Sequence, residues 1–155
     1  DEIKLNDLKL KNITYNESNN KDNIGYDFSL NNLSNCNINI LIRIGALRMK
    51  NINNCTIITG PINSSIHGTN INNSTIHSMM QQCRIHESKN TSFYIFCGTE
   101  PIIEDCNGIQ FAPYIVKYNE LNKQIKNANF DINNNKWNNV KDFNHFKQTQ
   151  SPNWN

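Results

Sequence analysis

The sequence predicts an all-β protein: a parallel β-helix closed by a short C-terminal helix and an aromatic-anchored tail. Three observations carry this. Leu33-Ser-Asn-Cys36-Asn-Ile38 recurs as Ile52-Asn-Asn-Cys55-Thr-Ile57 and as Ile71-Asn-Asn-Ser74-Thr-Ile76, at the same interval both times. The unit is built of short β-branched runs, not the regularly placed leucines of a leucine-rich repeat. The repeat stops before the C-terminus, where the pattern turns helical and then aromatic.

Each coil of a β-helix supplies two or three short strands, and equivalent residues stack along its axis. Residues 1–32 form a lead-in that the repeat leaves unassigned. The β-helix spans residues 33–118. Ile columns fill its core, Cys36, Cys55 and Ser74 fit a tight corner, and Asn ladders satisfy turn amides. Looser echoes follow at Asn90-Thr-Ser-Phe93 and Ile103-Glu-Asp-Cys106. The competing architecture is a β-sandwich with accidental repeats. Residues 119–155 form the capping tail. Within them, Asn119–Phe130 carries Leu121, Ile125 and Ala128 at i, i+4 and i+7, the apolar stripe of a short helix. Trp137, Val140, Phe143, Phe146 and Trp154 follow as anchors, because an open solenoid end needs a cover.

The 155 residues fit one domain. A hydrophobic fraction of 37% is low, and asparagine fills the difference. Most of that asparagine reads as compositional drift on loops. A net charge of +2, with cations interleaved among carboxylates, argues against a strong nucleic-acid binder. Five cysteines and no CxxC fit a reducing cytosol better than a disulfide framework. The longest apolar run, near Ile38–Leu47, is broken by Asn39, Arg43 and Gly45 and does not make a membrane span. A start at Asp1 suggests a piece of a longer protein.

Chemistry narrows to one residue. The repeat register sets Arg84 where earlier coils have Ala46 and Ser65, small residues that leave a shallow outer strip. With Ile85 inward, Gln82, Arg84 and His86 face out, and Gln81 and Cys83 face inward or line the corner. The bland reading is a surface arginine paired with Glu87 or Glu104. Cys83 reads as a buried stacking residue rather than a nucleophile. His67, His77, His86 and Cys83 lack a metal-ligand spacing. Glu104 and Asp105 are strand neighbours and point to opposite faces. No Gly-rich loop is present to hold a phosphate. What remains is an arginine offered to a partner, since a guanidinium fork suits phosphate oxygens and, given in trans to a GTPase, stabilises the transferring phosphoryl group.

Gln81-Gln82-Cys83-Arg84-Ile85-His86 resembles the QQxR motif of the tubulin-binding cofactor C family. The stretch from Pro101 through Glu104-Asp-Cys106 and Phe111-Ala-Pro-Tyr114 looks like its next signature. Asn135-Lys-Trp137 through Asp142-Phe143-Asn144, and Ser151-Pro-Asn-Trp154, resemble its C-terminal motifs. The likeness covers about residues 33–155, and the domain of the retinitis pigmentosa 2 protein shares the QQxR element. The resemblance implies a right-handed β-helix and a cytoplasmic, cytoskeleton-associated GTPase activator. Its partners would be β-tubulin with tubulin cofactors D and E, or an ADP-ribosylation-factor-like GTPase. GTP and Mg²⁺ would sit on the partner, and this chain would bind no cofactor. Arg84 matches the motif's arginine and becomes the finger. Gln81 and Gln82 would orient it or touch the GTPase. Glu104 would hold Arg84 or meet the partner, and Phe111 would belong to the contact surface or the core. A third reading is a non-catalytic β-helix module that binds actin or tubulin. Two departures stand out. Cys83 replaces a bulkier residue, and Ile115-Val116-Lys117-Tyr118 stands where the family has a Trp, which would loosen the tail packing or alter the partner surface.

Overall fold

Two ribbons of parallel strands face each other in the computed structural model, which describes residues 1–155. One ribbon holds β1 (Glu2–Lys9), β3 (Asp27–Ser34), β5 (Leu47–Asn53), β7 (Ser65–Asn72), β9 (Gln82–His86), β11 (Ile102–Glu104) and β13 (Lys141–Asp142). The other holds β2 (Asn12–Asn16), β4 (Asn37–Leu41), β6 (Thr56–Pro61), β8 (Thr75–Met80), β10 (Lys89–Cys97) and β12 (Asn107–Pro113). The chain passes from one ribbon to the other at every coil, as a β-helix requires. The lead-in before Leu33 is part of it. It supplies β1, β2 and the start of β3, in a first coil that sets Ile3 on Phe28. The next coil is shorter and sets Phe28 on Leu47.

Alternation along each strand sends every second side chain inward. The inward sets stack as columns: Phe28, Leu47, Ile66 and Cys83 in one, Leu33, Ile52 and Ile71 in another. A third runs Ile13, Ile38, Ile57, Ile76, Phe93 and Phe111. Each fully buried Ile is worth roughly 1.5–3 kcal/mol over an exposed one. Gly68 makes room in the Leu30–Met49–Ile85 column, because a Cβ there would lie 2.5 Å from Ile71 Cδ1. The sequence repeat is therefore the stacking register. Cys36 N–H donates to Cys55 Sγ at 3.4 Å and Cys55 N–H to Ser74 Oγ at 3.1 Å, so the small residues do fill a corner. The echo at Cys106 differs: one residue before Asn107, it sits over Ser88 and not in the Cys36 column.

Asparagine has a stronger cause than drift. Two corners in each coil hold left-handed backbone. One series is Asp7, Asn32, Asn51, Asn70, Glu87 and Asp105, and the other is Leu10, Asn35, Asn54, Asn73 and Asn90, completed by Gly108. Asn tolerates that conformation better than other chiral residues. The side chains also form ladders, with Asn32 Nδ2 donating to Asp7 Oδ1 at 2.7 Å and Asn70 Nδ2 to Asn51 Oδ1 at 2.9 Å. Leu10 breaks the rule at φ 55°, and its side chain is 80% exposed. Leu10→Asn is expected to raise stability by about 1 kcal/mol, read as a higher urea midpoint.

Helix α1 (Leu121–Asn127) covers β6, within the span the apolar stripe predicts. Leu121 joins Met79 and Phe96 in a small satellite core. Buried Gln124 donates to Glu17 Oε2 at 2.7 Å and accepts from the Tyr118 hydroxyl at 2.5 Å. Tyr118 thus pins the segment where the family Trp is missing, while Ile115 stays exposed. Further on, Trp137, Val140 and Trp154 pack against the main core. Phe146 does not: it is 84% exposed, so it is not an anchor, and Phe143 is only partly covered. A short tail segment has one inner face, and Asp142 takes it beside Phe143.

Candidate functional site

The corner before Arg84 is shorter than its counterpart one coil earlier. Ile62-Asn63-Ser64 joins β6 to β7, but Gln81 alone joins β8 to β9. Both Gln81 N–H and Gln82 N–H donate to Ser64 carbonyl, at 2.9 and 3.2 Å. The coil is tightened there, so Ile66 pairs with Cys83, where the constant interval of the repeat would have set Ile85. Arg84 consequently stacks on His67 and, one coil further, Arg48. The repeat register had set it over Ser65 and Ala46. That alignment fails because a repeat read from inward Ile and Cys cannot see a deletion in a corner.

The side-chain directions hold. Cys83 and Ile85 are buried, while Gln82 and Arg84 are exposed and His86 is half-buried. Gln81 is clamped at the corner: its carbonyl accepts from Thr99 Oγ1 at 2.8 Å, and Gly98 leaves space for its amide. Glu104 does not hold Arg84. It lies two residues along the next coil and meets His86 Nδ1 at 3.2 Å. None of the chain's four ion pairs includes Arg84. Phe111 is 6% exposed, stacked on Phe93 with centroids 5.5 Å apart and edge-on to Trp154. A side chain so covered offers no contact area, and Phe111 belongs to the core.

Electrostatics separates the remaining candidates. Burial pushes the Cys83 thiol well above its ordinary pKa, which removes it as a nucleophile near neutrality. Burial, then the Arg84 and Arg48 charges, lower the His67 pKa. His77 lies on the other ribbon, stacked on Tyr94 with centroids 4.6 Å apart. No three His, Cys, Asp or Glu side chains converge as metal ligands.

Beyond β9, Arg84 borders a shallow depression of ≈ 220 Å³ with Thr99, Glu100, Ile102 and Lys141. Lys141 reaches it because β13 pairs with β11, setting Lys141 beside Ile102. Sequence reasoning missed Arg48, His67 and Lys141 as neighbours of Arg84. The available signal was Cys83, an apolar residue that aligns with Ile66 once the corner is shortened. The assembled site has no nucleophile, base or phosphate loop of its own. It presents the unpaired Arg84 guanidinium on a strand held by a tight corner, near Lys141 and the likewise unpaired Arg48.

Known proteins are similar to this chain. The human tubulin-specific chaperone C is 35% identical over 129 residues, covering 83% of this chain and 37% of that protein. The Arabidopsis thaliana tubulin-folding cofactor C is 34% identical over 128 residues, with the same coverage of each. The Gallus gallus protein XRP2 is 38% identical over 63 residues, 41% of this chain and 18% of that one. This chain thus spans little more than a third of the full-length tubulin chaperones it matches. The solved structure titled tubulin binding cofactor C from Leishmania major superposes with a TM-score of 0.65 at 22% identity, over 75% of this chain and 81% of that one, and shares the fold. The profile of the family described as tubulin binding cofactor C matches residues 25–143, and the chain belongs to that family.

Proposed function

We propose that this domain activates a GTPase in trans, with Arg84 as an arginine finger directed at β-tubulin in tubulin folding. The observation that carries the reading is the unpaired guanidinium. Nearby carboxylates Glu100 and Glu104 are engaged by Lys141 and His86, and Arg84 is left free on a strand whose register a tight corner fixes. Guanidinium supplies the fork that a transferring phosphoryl group needs. GTP and Mg²⁺ belong to the partner, and tubulin cofactors D and E complete the assembly in the cytoplasm. Gln82 shares the exposed face and suits a partner contact, whereas Gln81 positions the corner. The likeness to tubulin chaperones, over twice as much of the chain as to XRP2, favours tubulin.

A small ADP-ribosylation-factor-like GTPase is the second reading, supported by the XRP2 match. The test is single-turnover GTP hydrolysis on tubulin with cofactors D and E, repeated on such a small GTPase. Stimulation of one substrate names the target. Binding without stimulation of either sinks the activator reading and leaves a non-catalytic module.

The corner offers a finer test. A Cβ on Gly98 would collide with Gln81 Oε1, the free end of a flexible side chain. Gly98→Ala is expected to leave the melting temperature nearly unchanged and to lower stimulated hydrolysis about 10- to 100-fold, as misplacement of a catalytic group does. Unaltered hydrolysis would show that Gln81 has no positioning role.

A further inference from the structure

The outward column through Arg84 continues well past it. It runs Lys4, Ser29, Arg48, His67, Arg84, with one residue per strand from β1 to β9. Exposed Lys50 stands two residues along from Arg48 on the same face. Successive coils lie about 4.8 Å apart. Lys4, Arg48 and Arg84 thus sit on alternate members of the column, roughly 10 Å apart, where like charges repel weakly and do nothing for the sheet's own stability.

Glu2 meets the column's own Lys4 at 3.9 Å, which leaves Arg48 and Lys50 as the free cations beside it, while Glu104 and Glu100 are engaged by His86 and Lys141, both at 3.2 Å. Asp27 turns its carboxylate toward Gly45, into the space a Cβ there would need. Arg48 and Lys50 enter no ion pair. A shallow groove of ≈ 530 Å³ follows the column, lined by Lys4, Asn6, Arg48, Lys50, His67 and Thr69 among others. It ends beside Arg84 without including it.

We propose that this groove docks an acidic polypeptide segment, which runs along the solenoid axis and sets its carboxylates on Arg48 and Lys50. Arg48 can take one carboxylate with both arms of its fork, and Lys50 serves a second as a point charge. Lys4 to His67 is three coil steps, about 14 Å, which four or five extended residues span at roughly 3.3 Å each. A nucleic acid fits worse. Its phosphate backbone carries far denser charge than the few cations of this groove can match, and no Phe, Tyr or Trp lines the groove to stack successive bases. The groove goes beyond the arginine-finger reading, since Arg84 stays available to a second site on the partner.

The test uses a fluorescent oligoglutamate of about ten residues, followed by anisotropy at about 50 mM salt, where surface charges are weakly screened. Wild type is expected to bind, and to weaken as salt rises. Arg48→Gln with Lys50→Gln should bind about tenfold more weakly or worse. Lys9→Gln with Lys11→Gln removes the same charge from beyond the corners and should bind like wild type. Circular dichroism checks that both variants fold. Arg84→Ala should keep most of the peptide affinity, which separates this proposal from the finger. The proposal is overturned if wild type does not bind, if the Lys9/Lys11 variant loses as much as the Arg48/Lys50 variant, or if oligothymidylate of equal length binds more tightly than oligoglutamate.

Discussion

Arg84→Ala is expected to lower stimulated GTP hydrolysis by roughly 10³–10⁵-fold, the contribution of an arginine finger given in trans. At about 1.36 kcal/mol per decade, this is about 4–7 kcal/mol of transition-state stabilisation. The same substitution should scarcely move the melting temperature. Arg84 is exposed and has no intramolecular ion pair to lose, and surface changes of that kind stay within about 0.5 kcal/mol. Relief of repulsion from Arg48, two coils back on the same column, acts in the stabilising direction. Arg84→Lys keeps the charge but not the planar fork, so it should rescue partner binding and little of the rate. The decisive measurement is single-turnover hydrolysis at saturating activator, with affinity measured separately. Equal rates for wild type and Arg84→Ala would make Arg84 a docking contact.

The second large effect is structural. Asp142 is 6% exposed and gathers the C-terminal tail. Its carboxylate accepts from Ser151 Oγ at 2.6 Å, Asn153 Nδ2 at 2.7 Å and Asn144 N–H at 2.9 Å. Asp142→Ala leaves the buried Ser151 hydroxyl without its partner and removes the bonds from half-buried Asn153 and from the Asn144 N–H, and hydrogen bonds to a charged group are worth about 1.5–3 kcal/mol each. A loss of about 3 kcal/mol is expected, with residues beyond β13 becoming open to limited proteolysis. Burial alone would raise the Asp142 pKa. The bonds from Ser151, Asn153 and Asn144 outweigh it and hold the pKa below its ordinary value. A depressed carboxylate contributes stability that is present above its unfolded pKa and lost as pH falls through the folded one. Tail docking should therefore weaken only in acid, below about pH 4, and Asp142→Asn should flatten that dependence. Tail release also removes Lys141 from beside Ile102, so the variant should show weaker partner affinity. A tail that stays protected in Asp142→Ala would assign the docking to Trp137 and Trp154 instead.

Most of the architecture was legible because its signal is periodic. Ile and Cys recur where the core needs them, and a strand's alternation then fixes which neighbours face out. Gln82, Arg84 and His86 were placed correctly for that reason. The partners of Arg84 were not. Glu104 reads as a natural counter-ion, but the register gives it to His86. Phe111 reads as surface or core, and only its stacking on Phe93 beneath Trp154 decides for the core. Phe146 carries the same aromatic signal as Trp137 and Trp154, yet it lies outside.

By itself the sequence determined the coil, its core columns, the short helix, the family motif and the outward direction of Arg84. Each of these follows from local chemistry repeated at a fixed interval. Tertiary structure alone decided what surrounds Arg84. A shortened corner shifts the register of the later strands on that ribbon, bringing His67 and Arg48 into line with Arg84. The tail then adds Lys141 from far along the chain. A corner shortened by two residues keeps the inward and outward alternation in phase, so the alignment of Cys83 with Ile66 is the one trace it leaves in the apolar pattern.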